Sequence, residues 1–163
     1  MSTSLAITRP TSAYDILTWV QEHIHEEPKR IRMGQWYSKI DPADVLAFPH
    51  RYPRCGTIAC EAGWIAERCG VDLHANYPIV NERAVDWTYM ATLIAGFDPL
   101  AEDKLRRSFT SGEHFDTPDG TPEQAAATVA FLQGFKRTWK RQLQARMILP
   151  GGVVQGARSS AKP

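Results

Sequence analysis

A chain of 163 residues with a net charge of +1 is long enough to bury one hydrophobic core without a metal or disulfide framework. Hydrophobic residues at 43% and charged residues at 23% are ordinary for a globular domain and exclude a low-complexity or fibrous chain. No apolar run reaches the ~18 residues of a membrane span, and the first ten residues lack the basic and apolar regions of a secretory signal. Three cysteines, an odd number, argue against a secreted disulfide framework; a cytoplasmic protein with no membrane partner is expected.

Residues 1–10 read as a flexible leader. Thr11 or Ser12 can cap a helix, because a hydroxyl accepts a hydrogen bond from the unpaired amides of a first turn. Ala13, Ile16, Leu17, Val20 and Ile24 recur at helical spacing and give it one apolar stripe, which Pro28 ends. His23 and His25 lie about 200° apart on the helix wheel and read as surface or rim residues. Residues 29–40 lack a clear period, and Trp36-Tyr37 near Gly34 read as an irregular segment over the core. Asp41-Pro42, a side-chain cap followed by proline, opens a brief helix that Pro49 closes.

Thr57 is expected to cap a central helix running to Cys69, with Gly70 as its left-handed stop. Ile58, Ala62, Ile65 and Cys69 form one buried stripe on it. Ala59, Gly63 and Ala66 form a second, of small residues only, which admits another backbone; Gly63 costs about 1 kcal/mol of helix propensity that a close contact must offset. Residues 71–81 carry no helical pattern, and a short strand or arm is expected near 77–80. A helix then runs to Gly96, and Asp98-Pro99 opens another with Leu100, Leu105 and Phe109 inward. The turn-rich stretch 110–120 reads as a loop. Thr121-Pro122-Glu123-Gln124 is a capping-box start. From it Ala125, Val129, Leu132, Phe135, Trp139 and Leu143 hold helical register for about six turns. Residues 150–163 read as a disordered tail. The expected fold is an all-α single domain of five to six helices over 11–149.

Several pieces occur in a characteristic order: Met33-Gly34-Gln35-Trp36, then Cys55-Gly56-Thr57 through Cys60 to Ala62-Gly63-Trp64, then Leu93 to Phe97, Leu105 to Phe109, and Thr121-Pro122 to Ala126. In this the chain resembles a family of small uncharacterised proteins of bacteria and their phages. The Cys-Gly-Thr block carries most of the likeness, and the basic last helix and tail depart from it. The resemblance implies a bacterial or mobile-element setting and no particular activity.

Three chemical readings follow from the residues. Cys55, placed before a helix N-terminus, would have its thiolate favoured by the helix amides and would suit a cysteine-dependent hydrolase, with His74 or His114 as base and Asp116 close to the latter. The alternative is that Cys55 is a small group seating the loop; that reading is adopted, and no catalytic residue is assigned. His50, Cys55, Cys60 and His74 are the ligand types zinc prefers, but their spacing matches no familiar zinc knuckle, so no cofactor is assigned. A Cys55–Cys60 disulfide is a further alternative. Lys136, Arg137, Lys140 and Arg141 fall at i, i+1, i+4 and i+5, which places them on one solvent face suited to nucleic acid or an acidic protein. Trp36 and Tyr37 are candidate anchors of an interface. The expected function is a non-enzymatic interaction module, phage- or prophage-related, that binds a host or phage macromolecule; the hydrolase using Cys55 is the alternative.

Overall fold

The stripe Ala13, Ile16, Leu17, Val20 and Ile24 is completely buried, so α1 (Ala13–Glu26) is the inner helix around which the rest is laid. In this computed structural model of the chain, residues 5–74, 77–110 and 117–154 are described. The Ser12 hydroxyl caps α1 by accepting from the Asp15 amide at 3.1 Å. The helix ends at a 3-10 turn, Pro28–Arg30, as the proline dictates. The remaining helices are α2 (Pro42–Ala47), α3 (Glu61–Cys69), α4 (Trp87–Ala95), α5 (Pro99–Thr110), α6 (Pro122–Thr138) and α7 (Lys140–Ala145). Asp41, Asp86 and Thr121 each accept a first-turn amide, and Asp98 likewise accepts from Leu100 ahead of α5. Between α3 and α6 lies α1, with α4 and α5 forming an antiparallel pair beside α3.

The domain is helix-dominated but not purely helical. Short strands β1 (Thr11–Ser12), β7 (Met147–Leu149) and β8 (Val153–Val154) form one sheet, and β2 (Tyr37–Lys39) pairs antiparallel with β3 (Thr57–Ala59). A third sheet joins β4 (Asp72–His74), β5 (Tyr77–Val80) and β6 (Arg83–Ala84), so the extended segment expected near 77–80 is present. The packed body also reaches beyond 11–149. Ile7 is buried and its amide donates to the Arg68 carbonyl, while the Gly151 amide donates to the Cys69 carbonyl and Tyr89 donates to the Gly152 carbonyl.

Two helix expectations need correction. Thr57 does not cap the central helix: residues 57–59 form β3, and Cys60, in extended conformation, occupies the cap position before Glu61. The long last helix breaks at Trp139 (φ −113°, ψ 25°) into α6 and α7. Leu100, expected inward, is 68% exposed, whereas Leu105 and Phe109 are buried as expected.

Of the expected small-residue stripe, Gly63 and Ala66 lie on α3 whereas Ala59 belongs to β3, and the close approach falls at Gly63. A Cβ at Gly63 would lie 2.0 Å from the Trp36 carbonyl oxygen and 2.9 Å from the Ala59 Cβ. Trp64, the largest fully buried side chain, then fills the centre, its indole N–H donating to the Arg30 carbonyl at 3.0 Å. Gly63→Ala must displace backbone, and overpacking of this kind costs about 3 kcal/mol. Gly134→Ala, whose Cβ would meet nothing within 4 Å on α6, should instead stabilise by about 0.5–1 kcal/mol. Urea denaturation of both variants checks the opposite signs.

Candidate binding groove and the residues around it

The register of β2 and β3 decides what faces the surface. Tyr37, Lys39 and Thr57 lie on one side of this two-stranded ribbon, with Tyr37 opposite Ala59 and Lys39 opposite Thr57. That side forms the floor of an open groove of about 940 Å³. Trp64 and Glu67 of α3 form one wall; Pro42, Val45 and Leu46 of α2 form another, with Arg54 and Cys55 beside them. No residue of α2 is buried: Leu46 is 82% exposed, and Phe48 just beyond the helix 46%. An apolar helix end left in water beside a groove is the most conspicuous surface feature among the described residues.

Tyr37 is buried in the floor rather than exposed on a loop. Burial raises its phenol well above the usual tyrosine range, and the neighbouring Glu67 carboxylate raises it further. Trp36 is half-buried and packs edge-on against Trp87 at 4.8 Å, while its carbonyl accepts from the Cys60 thiol at 3.7 Å. Neither aromatic is a free anchor of the kind the sequence suggested.

The cysteines separate cleanly. Cys55 is exposed, its Sγ donating to the Thr57 carbonyl at 3.6 Å. It precedes a strand, not a helix, so the helix-terminus argument for its thiolate does not hold. The cysteine that does stand at the helix start, Cys60, is buried, and burial pushes its thiol up to about 12. Cys69 is likewise buried and pushed up to about 12. All three thiols are free.

Among the described residues no histidine lines the groove that Cys55 borders. For His74 the backbone alone, in β4, is described, and His114 and Asp116 lie outside the described residues. His50 is exposed and is not among the residues that line the groove, its ring 6.4 Å from Phe48. Among the described residues no three His, Cys, Asp or Glu side chains converge on a metal-sized site.

The basic helix face is smaller than its spacing suggested. Lys136 is 5% exposed: its ammonium donates to Gln21 at 2.8 Å and lies 4.8 Å from the Tyr14 ring centroid, and burial lowers its pKa. Arg146 donates to the Leu93 and Thr92 carbonyls, closing the end of α4. Arg137, Lys140 and Arg141 remain exposed.

Two buried ionisable groups carry no signal in any motif. Glu61, the first residue of α3, has no exposed surface, and neither carboxyl oxygen has a hydrogen-bond partner. Ser108 of α5 comes near enough to favour its charged form, but that hydroxyl donates to the Leu105 carbonyl at 2.6 Å. Burial dominates and raises the carboxyl to about 8, so it is protonated at neutral pH. His23 is also buried, not on the rim. It stacks on Trp19 at 4.5 Å and meets the Trp64 edge at 4.4 Å. Its Nδ1 lies 3.1 Å from an Arg30 nitrogen; burial first, and that guanidinium second, lower its pKa to about 4, against a small opposing effect of Glu26. The sequence signal for Glu61 was its place among Ala59, Cys60, Ala62 and Gly63, residues of a tightly packed face.

Among the described residues no helix is long and apolar enough to cross a membrane. Comparison with family models, curated proteins and solved structures finds no match to the chain.

Glu61 and His23 together set a pH profile. Glu61 ionises in the unfolded chain near 4.5 and in the folded chain near 8, so its contribution is full below 4.5 and is lost as pH rises to 8. His23 acts oppositely, losing stability as pH falls from 6.5 to about 4. The two slopes offset one another between roughly 4.5 and 6.5, leaving a plateau, and only the Glu61 slope operates from 6.5 to 8, amounting to about 2 kcal/mol. Glu61→Gln should abolish that alkaline decline. Denaturation midpoints from pH 5 to pH 9 test it; an unchanged decline in the variant would assign the slope elsewhere.

Proposed function

We propose that the protein is a non-enzymatic interaction module, phage- or prophage-related in setting, that binds a macromolecular partner through the groove between α2 and the β2–β3 ribbon. The observation that carries this reading is α2 itself. A helix of six residues has almost no stability of its own and must be held by what surrounds it. Here the Asp41 cap and the flanking strands hold a helix with no fully buried residue, with Leu46 and Val45 turned to the groove and Phe48 beside it. Apolar side chains arranged this way gain free energy only when another surface covers them.

A protein partner is favoured over nucleic acid. With Lys136 and Arg146 engaged internally, the helix face offers three cations, Arg137, Lys140 and Arg141. Three phosphate contacts give a salt slope of only about −3, weaker than most duplex-binding domains show. The hydrolase alternative needs a base at Cys55, and among the described residues the groove offers Tyr37, whose phenol is held protonated, rather than a histidine.

The reading has a two-part test. Iodoacetamide should modify Cys55 alone in the folded protein, at a rate changed less than twofold by His74→Ala or His114→Ala. A tenfold fall in either variant would establish a base-assisted thiol and favour the hydrolase. Leu46→Asp should remove partner capture by the immobilised chain without lowering its melting temperature by more than a few degrees, since the side chain is already in water. Cys55→Ala should leave capture intact.

A further inference from the structure

We propose that β2 accepts an extended acidic segment of the partner protein as an additional strand, laid along the groove beside α2. This deepens, and rests on, the reading of the groove as a binding surface.

The backbone pattern gives the first argument. The Ile40 amide donates to the Gly56 carbonyl at 2.7 Å, and these residues continue the antiparallel register in which Ser38 faces Ile58. Hydrogen-bonded pairs alternate along such a ladder, so positions 40 and 38 bond inward to β3 while Tyr37 and Lys39 direct N–H and C=O away from it. The same alternation sends the Ala59 carbonyl outward on the other side, where it accepts from the Arg32 amide at 3.0 Å. Thus β3 has neighbours on both sides, through β2 and through the bridge to Ile31, whereas β2 has no second strand among the described residues. Unpaired edges of this kind are templates for strand addition.

Charge selects the occupant. Lys39 and Arg54 line the groove, both are exposed, and neither forms an ion pair among the described residues. Glu67, beside the Tyr37 phenol, is the one carboxylate in the lining and is outnumbered by these two cations. Asp41 caps α2 by accepting from the Ala43 amide at 2.7 Å, and Asp44 is outside the lining. A second copy of this chain would bring its own Lys39 to the same edge, an unfavourable pairing. Side chains of an added strand alternate between the two faces of the ribbon, so its groove-facing positions meet Lys39 and Arg54 where they are acidic and Val45 and Leu46 where they are apolar.

The test uses the full chain and a displayed library of random 12-residue peptides. Expected is enrichment of peptides that carry both apolar and Asp or Glu residues at positions of one parity, with affinity falling at least tenfold in Leu46→Asp and in Lys39→Glu. The strand geometry has its own readout, which needs no protein variant. Methylating every second amide of a selected peptide should abolish binding in one phase and leave it nearly unchanged in the other, because only alternate amides face β2. Peptides lost in Leu46→Asp but indifferent to the phase of methylation, or lacking acidic residues, would overturn strand addition while leaving the groove as the binding surface. Binding unaffected by Leu46→Asp, or no enrichment at all, would overturn both.

Discussion

The contact on which the rest of the molecule depends is the approach of α3 to the Trp36 carbonyl. That oxygen lies where a Cβ of residue 63 would be, and it also accepts the Cys60 thiol. Only glycine allows the helix this close. Because Trp36 immediately precedes β2, the contact locks the β2–β3 ribbon against α3 and sets the depth of everything between them. Trp64, one residue on, enters the centre and closes on His23 and Arg30. Glu67, one turn further, reaches Tyr37 in the ribbon. The groove is therefore not a surface accident but the space left where the ribbon and the second half of α3 diverge from a fixed point. Asp119 supports the same point from outside, accepting from the Met33 and Gly34 amides and from the Gln124 side chain at the start of α6.

How much of this was legible depends on whether the cause was local. Caps at Ser12, Asp41, Asp98 and Thr121 were readable because a side chain two or three residues from an amide needs no distant partner. The start of α3 was not. Thr57-Ile58-Ala59 suits either a helix or a strand by periodicity, and what decided it was pairing with Tyr37 to Lys39, some twenty residues away. Gly56, at φ +68°, marks the turn that makes the pairing feasible. The small-residue stripe was legible, as was the strand at Tyr77–Val80; the three-strand sheets and their registers were not, since short strands are specified by partners rather than by themselves.

The candidate site was legible in part. Cys55 does lie in the groove, and its sequence neighbours do form a loop. Its supposed chemistry rested on a helix that begins six residues later. Lys136 could have been placed correctly: it stands four residues after Leu132 and seven after Val129, so it continues the inner stripe, and its long aliphatic stem lets the ammonium reach Gln21 from there. Counting charges by proximity in sequence hid that position. Leu46 was hidden for the opposite reason, because a lone leucine between proline-bounded turns reads as core.

The buried charges give the last step. A carboxyl as enclosed as that of Glu61, at the positive end of a helix, would be expected to ionise there; with no partner for either oxygen, desolvation outweighs the helix field and the group is neutral. Leucine or glutamine would pack the same space with less dependence on pH, so the fold tolerates Glu61 rather than requiring its charge. His23 differs, since its ring stacks on one indole and meets a second edge-on, and its Nδ1 meets the Arg30 guanidinium that also binds Glu26 and the His23 carbonyl. There a neutral imidazole completes a network joining α1, the 3-10 turn and α3. The stiffness of that junction matters to the groove. Lys29 donates to the Pro49 carbonyl and Glu27 accepts the Arg54 amide, so both ends of the loop following α2 are anchored to the base of α1. With the loop after it held at both ends and only Val45 partly buried beside Gly56, α2 keeps Leu46 at the groove with little packing of its own to favour that position.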